Sequence, residues 1–318
     1  MNTSGGTLLV VELSGAMLII VGLLACSPPE TAQTPSPEPP AQVGSEPSVI
    51  NITAEDYSFT APPTFPSGWL TLRFDNQGEE THFVSIIELP EGKTFDDYTS
   101  QVSAPFDDLY AQYRADELDQ AAFFEQLGAA VPDWFLTARR AGGPGFTAPG
   151  LTSETTIRLA PGNYVMECYV RSMKESDTFH GAHGMLRPLI VTDEASHGVV
   201  PEADIEITLS NYTLAVEGDL SAGHRVVRVR VEQNPEGLTF HNVHLAKLDG
   251  DMTVETVAAW LNWVDEMLPP APTQFLGGAG QASAGGESYL TVNLEPGRYA
   301  WVSELHGMNG MVHEFTVE

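Results

Sequence analysis

The chain carries one pattern twice, and a fold that must be built from two similar half-chains is confined to units of single-domain size. Asp56-Tyr57-Ser58-Phe59 corresponds to Asn211-Tyr212-Thr213-Leu214, and Pro66-Ser67-Gly68 to Ser221-Ala222-Gly223 at the same offset. His82-Phe83-Val84, followed by Leu89 and Thr94, corresponds to His241-Asn242-Val243, followed at the same distances by Leu248 and Thr253. The stretch from Gly142 to Pro161-Gly162-Asn163-Tyr164 then matches Gly277 to Pro296-Gly297-Arg298-Tyr299 without a gap. Two tandem units follow, residues 49–195 and 202–318.

Within each unit the apolar residues alternate, as they do in strands with one buried face. Leu70, Leu72 and Phe74 share one face, and Val227, Val229 and Val231 do the same between arginines. Thr155 to Leu159, the Pro161-Gly162 turn and Asn163 to Cys168 read as a hairpin, as do Tyr289 to Leu294 and Tyr299 to Ser303. Helical spacing interrupts the strands at 107–127 and 254–267, with Trp260 and Trp263 on one helical face that is expected to cover the second unit. The runs Gly142-Gly143-Pro144-Gly145 and Gly277-Gly278-Ala279-Gly280 follow helices rather than precede them, so they read as turns and not as phosphate cradles. The expected fold is all-β, two tandem Greek-key β-sandwiches, each with a helical insertion that is longer in the first.

Ahead of the first unit, residues 13–25 are almost wholly apolar and stop at Cys26, too short a stretch to span a bilayer and long enough for the core of a signal peptide. Leu23-Leu24-Ala25-Cys26 resembles the lipobox of bacterial lipoproteins, which implies that residues 1–26 form the signal and that Cys26 is acylated. Glu12 and the lack of Lys or Arg before it depart from the usual positively charged start. Residues 27–48 are rich in Pro, Ser, Thr, Glu and Gln without apolar periodicity and read as a disordered tether. The working part is therefore expected outside the cytoplasm, periplasmic or at the cell surface, held to a bacterial membrane through the lipid anchor. With 14 Lys+Arg against 43 Asp+Glu and a net charge of -29, the chain lacks the clustered cations that nucleic acid requires. Such acidity suits metal ions or a protein partner with a basic patch.

The chain has two cysteines, and once Cys26 is set aside Cys168 is alone. An unpaired thiol in an oxidising compartment must be buried or bound, most often to a metal. His82 opens one strand, Cys168 ends another, and His180 and Met185 follow in a Gly-rich segment. This pattern resembles the cupredoxins, the plastocyanin and amicyanin group, whose copper is held by one early His and by a Cys, a His and a Met near the C-terminus. The resemblance implies that His82, Cys168, His180 and Met185 hold one copper in the first unit. A thiolate and two imidazoles with a weak axial thioether suit both Cu(I) and Cu(II). His183 is the second choice for the imidazole, because only Gly184 separates it from Met185. Eleven residues lie between Cys168 and His180 where the family has two to four. Pairing of Tyr169 to Met173 with Thr178-Phe179 across a turn at Lys174 to Asp177 would bring Cys168 and His180 together at the base of a hairpin. The longer loop costs only about 1.5 kcal/mol more to close, against a scale of roughly 10 kcal/mol for structural metal sites. In the second unit Ser303 stands where the Cys should be, so a blue site is excluded there. His241, His306 and Met311 remain as donors suited to Cu(I), and a relic kept for packing is the expectation.

The resulting expectation is a type 1 copper one-electron carrier and not an enzyme. Cys168 is flanked by Glu167 and Tyr169 rather than by the histidines of a multicopper oxidase, and no Gly-x-Ser-x-Gly or His-Glu-x-x-His pattern occurs. The alternatives are a metal-free scaffold or adhesion module and a copper storage or delivery protein.

Overall fold

The computed structural model describes residues 48–172, 177–237 and 239–318. The signal segment with Cys26, the tether up to residue 47, Met173 and the turn residues Lys174 to Ser176 lie outside the described residues. In the first repeat the strands are β1 (Val49–Glu55), β2 (Ser58–Thr60), β3 (Thr64–Asn76), β4 (Ser85–Glu88), β5 (Thr152–Leu159), β6 (Gly162–Glu167), β7 (Arg171–Ser172), β8 (Thr178–Phe179) and β9 (Leu186–Ala195). In the second they are β10 (Ile205–Ser210), β11 (Thr213–Gly218), β12 (Gly223–Gln233), β13 (His241–Lys247), β14 (Phe275–Ala282), β15 (Glu287–Leu294), β16 (Gly297–Val302) and β17 (Val312–Val317). The expected class holds: the chain is all-β, two tandem sandwiches with helical insertions.

Each repeat has the same pairing. β1 runs parallel to β3, which pairs antiparallel with β5, and β10, β12 and β15 repeat this arrangement. The facing layer is β4-β6-β9 in the first repeat and β13-β16-β17 in the second. The alternating residues of both layers meet between them. Leu70, Leu72, Phe74 and Ile157 from one sheet pack with Ile86, Met166 and Leu189 from the other, and all are fully buried or nearly so. β5 also pairs with β15, so the two repeats share one continuous sheet.

The Pro-Gly segments do not make hairpins. β5 pairs with β3 and β15, whereas β6 pairs with β4 and β9, and β15 and β16 are divided between the layers in the same way. The chain arches from one sheet to the other, which leaves the same alternation in sequence because both strands turn their apolar faces to one core. Tyr164 Oη donates to Ala160 O at 2.8 Å and Tyr299 Oη to Glu295 O at 2.9 Å, fixing each arch in the manner of a tyrosine corner.

The helical insertion of the first repeat is also more broken than its periodicity suggests. It comprises α1 (Phe95–Tyr98), α2 (Ala104–Arg114), α3 (Gln120–Ala130) and α4 (Asp133–Thr137). Asp116 takes a left-handed φ of 58°, and Asp119 caps α3 by accepting from Ala122 N at 2.8 Å, so the stretch 107–127 cannot be one helix. In the second repeat α5 (Val254–Trp260) stops early. Trp260 packs on Phe146 and Phe275, but Trp263 lies beyond the helix and packs on Phe106, Phe124 and Phe179 of the first repeat. The expected shared face of the two tryptophans is thereby corrected. Among the described residues no helix is long and apolar enough to cross a membrane.

The two glycine runs are not turns. Residues 141–147 and 276–282 lie antiparallel, with bridges between Ala141 and Ala282, Pro144 and Ala279, and Thr147 and Leu276. Gly145 N donates to Gly278 O, and Gly280 N to Gly143 O at 2.8 Å. A Cβ on Gly143 would stand 2.1 Å from Val84 O, and one on Gly278 would stand 2.3 Å from Val243 O. Both positions therefore need glycine for closeness of backbone, and the same contact recurs in each repeat. His244 is buried against this seam, its Nδ1 accepting from Phe146 N at 3.1 Å, and burial pushes its pKa down to about 3.

Two outcomes follow from this packing. Gly145→Ala, whose Cβ would meet the backbone of Gly278 at 2.5 Å, should cost about 1–3 kcal/mol in urea unfolding. Gly128→Ala in α3, where nothing beyond the helix's own backbone lies within 4 Å, should stabilise by about 0.5–1 kcal/mol. Because His244 is neutral when folded and titrates near 6.5 when unfolded, its contribution is present above that pH and declines as the pH falls towards 3. The stability lost by the metal-free protein between pH 7 and pH 4.5 should be smaller in His244→Gln by about 2 kcal/mol.

Candidate metal centre

His82 sits just before β4, held by an antiparallel bridge to Thr147. The approach to it is shaped by buried Asn76, whose Nδ2 donates to Glu80 O and to Thr147 O, both at 2.8 Å, while its Oδ1 accepts from Gly78 N. A Cβ on Gly78 would lie 2.4 Å from Asp56 Oδ1 and 2.7 Å from His82 Nε2, so the loop can close over that pair only with glycine there.

Cys168 and His180 come from the long insertion. β7 and β8 pair with Arg171 opposite Phe179, and His180 N donates to Val170 O at 2.8 Å, so the expected strand pairing draws the two residues to one end. Fully buried Arg171 holds this element in place. Its guanidinium donates to Asp177 at 2.6 Å and to the carbonyls of Asp265 and Glu266 at 2.7 and 2.6 Å. α2 and α3 lie over the other side, where Phe179 packs on Phe106 at 5.1 Å and Tyr110 at 4.6 Å.

The donor atoms of His82, Cys168 and His180 lie within 4.8 Å of one another. His82 Nδ1 is 3.1 Å from His180 Nδ1, and Cys168 Sγ is 3.5 Å from His180 Nδ1 and 3.9 Å from His82 Nδ1. All three residues are fully buried. Met185 is also fully buried, and its backbone is clamped between two of them: Met185 N donates to His180 O at 2.9 Å, and Cys168 N donates to Met185 O at 3.0 Å. His183 stands outside this group with its ring 4.8 Å from that of Tyr57.

The outer nitrogens determine what the inner ones can do. His82 Nε2 lies 3.0 Å from Asp56 Oδ1, and His180 Nε2 lies 2.7 Å from Glu80 Oε2. Carboxylates accept, so each imidazole keeps its proton on Nε2 and turns an Nδ1 lone pair inward. Burial and the facing His180 push the His82 pKa down to about 4 against the pull of Asp56. Burial likewise holds His180 low, in spite of Glu80. Glu80 is pushed up by burial, but the hydrogen bond and charge of His180 and the hydrogen bond from Ser172 outweigh this and keep its pKa low. Burial drives the Cys168 thiol up to about 12, with hydrogen bonds from the backbone of Val170 and Phe83 acting in the opposite direction.

Two lone pairs therefore face each other beside a sulfur, an arrangement that a shared cation relieves. Separations of this size are those of donors sharing one ion at bonds of about 2.0–2.3 Å. Hard cations prefer oxygen ligands, and two imidazoles with one thiolate suit copper or zinc. Asp56, Glu80, Asn76 and Gly78 were not singled out by the sequence reading. A signal was present in the repeat itself, where Asn211 occupies the place of Asp56 in the copy without the cysteine.

No family model matches the sequence, and no curated protein matches it. Among solved structures, a dithionite-reduced auracyanin from Roseiflexus castenholzii is 22% identical, covering 46% of this chain and 97% of its own, with a TM-score of 0.25. Auracyanin B is 26% identical over 38% of this chain and 94% of its own, with a TM-score of 0.27. Auracyanin A from Chloroflexus aurantiacus, described as a "blue" copper protein, is 16% identical over 46% of this chain and 100% of its own, also with a TM-score of 0.27. Each of these proteins is similar to less than half of the chain.

Proposed function

We propose that the chain is an exported, lipid-anchored carrier of single electrons, holding one copper in its first repeat through His82, Cys168 and His180 with Met185 as a weak fourth donor. The convergence of two inward-facing Nδ1 atoms on Cys168 Sγ carries this reading. Bound copper would supply a one-electron couple. The chain's own residues do the positioning. Asp56 and Glu80 fix the tautomer and tilt of both rings, and the backbone of Val170 and Phe83 donates to the sulfur. Arg171 braces the hairpin from which Cys168 and His180 come, so the donors keep their places when the charge at the centre changes. Full burial of all three donors keeps water out and makes exchange of the metal slow, which favours a carrier over a delivery protein. The acidic surface would steer the protein to a basic patch on a redox partner, an attraction that salt weakens.

Cu(II)-loaded protein should show an intense visible thiolate-to-copper absorption that disappears in Cys168→Ala and never arises with Zn(II). A colourless Cu(II)-loaded wild type would sink the proposal. Glu80 places a negative charge beside His180 and so favours the oxidised centre. At an effective dielectric of about 20 a unit charge several ångströms away is worth about 2 kcal/mol, so Glu80→Gln should raise the reduction potential by up to ~90 mV. Redox titration that finds the potential unchanged or lowered would remove Glu80 from that role.

A further inference from the structure

The second repeat reproduces the backbone frame of the first centre. Ser303 N donates to Met311 O and Met311 N to His306 O, both at 3.1 Å, as Cys168 N does to Met185 O and Met185 N to His180 O. Tyr212 stands edge-on to His306 at 5.4 Å, as Tyr57 does to His180 at 5.2 Å. The rings of His241 and His306 are 5.7 Å apart, slightly wider than the 4.8 Å between His82 and His180.

The polar atoms on this frame are left without partners. His241 and Ser303 are fully buried and His306 is 7% exposed. Neither nitrogen of His241, neither nitrogen of His306, nor Ser303 Oγ has a hydrogen-bond partner. The carbonyls of Asn211 and Gln233 act on His241 from nearby, but they close no hydrogen bond with it in this geometry. Packing alone accounts poorly for two buried imidazoles side by side, since an apolar pair would fill the space without five orphaned polar atoms.

The missing groups define the chemistry. Among the described residues only His82, Cys168 and His180 form a cluster of three or more His, Cys, Asp or Glu donors, so no carboxylate or thiolate joins His241 and His306. What remains is a pair of imidazoles, with the buried thioether residue Met311 on the same frame. Neutral nitrogen and thioether donors favour a soft ion of low charge, and without a thiolate the site would be colourless. We propose that His241 and His306, with Met311, form a second site that takes Cu(I). The proposal departs from the expectation of a relic kept for packing, and it stands whether or not the first centre binds copper.

Anaerobic titration of the mature full-length protein with Cu(I), against a chromophoric Cu(I) chelator, tests it. Of two equivalents bound by wild type, one should persist in His82→Ala/Cys168→Ala, and adding His306→Ala to that variant should weaken it at least ~100-fold. Near-UV circular dichroism reports whether the variants fold. Independently of any variant, the side-chain ¹⁵N resonances of His241 and His306 in the wild type should shift as Cu(I) is added. Imidazole resonances that stay unmoved, or an equivalent that survives His306→Ala in the silenced variant, would overturn the assignment.

Discussion

The backbone-to-backbone contact between the two glycine runs is the constraint on which the placement of both histidine strands depends. Gly143 and Gly278 each lie against the carbonyl of the valine two residues after a histidine, Val84 after His82 and Val243 after His241. The seam therefore sets the position of β4 and β13 together. Any side chain at these glycines would push the histidine strand of its own repeat away from the seam at which the two repeats meet. The shared β5-β15 pairing adds a second tie, so the repeats cannot shift independently. A buried site needs its donors fixed to within a fraction of an ångström, and a backbone-to-backbone contact does this better than interdigitated side chains, which can change rotamer.

Against that rigid base, the first centre is a balance between desolvation and charge. Burial lowers the pKa of both imidazoles and raises that of the thiol, so the donors without an ion are held neutral. Neutral imidazoles are the form that offers a lone pair to a metal, whereas the thiol must give up its proton, and a bound cation is what makes that favourable. The carboxylates of Asp56 and Glu80 contribute negative charge just outside the ligands and direct the rings. The second repeat lacks the thiol and has Asn211 in place of Asp56. Two substitutions in one direction, both removing negative charge, shift that site's preference towards an ion of lower charge.

The sequence disclosed the repeat, the strand faces and the three converging donors because each depends on spacing along one strand or on residue types with few alternative uses. It hid the sheet partners. Ile157 and Tyr164 face one core from opposite layers, and a period of two reports the face of a strand without reporting its neighbour. The glycine runs were misread for a related reason: glycine signals freedom from steric limits, and a turn and a close backbone approach both require it. Trp263 was assigned to the wrong repeat because helical spacing was extended past the end of α5, after which the chain turns and Arg171 grips the carbonyls of Asp265 and Glu266. Asp56 was the recoverable omission, since comparing the copies showed an acid where the cysteine is present and the amide of Asn211 where it is absent.

The neighbours of Cys168 and of His241 are joined by a buried polar bridge that belongs to neither repeat alone. Tyr169, next to Cys168, donates its hydroxyl to Glu304 Oε2 at 3.0 Å, and Asn242, next to His241, donates to the same oxygen at 2.8 Å. Glu304 itself follows Ser303, and its backbone N donates to Asn242 Oδ1 at 2.9 Å. Burial pushes the Glu304 pKa up to about 8, although both hydrogen bonds oppose the rise. The contact runs through adjacent residues on both sides. Glu304 ties the two repeats together through a set of hydrogen bonds that a single copy could not complete.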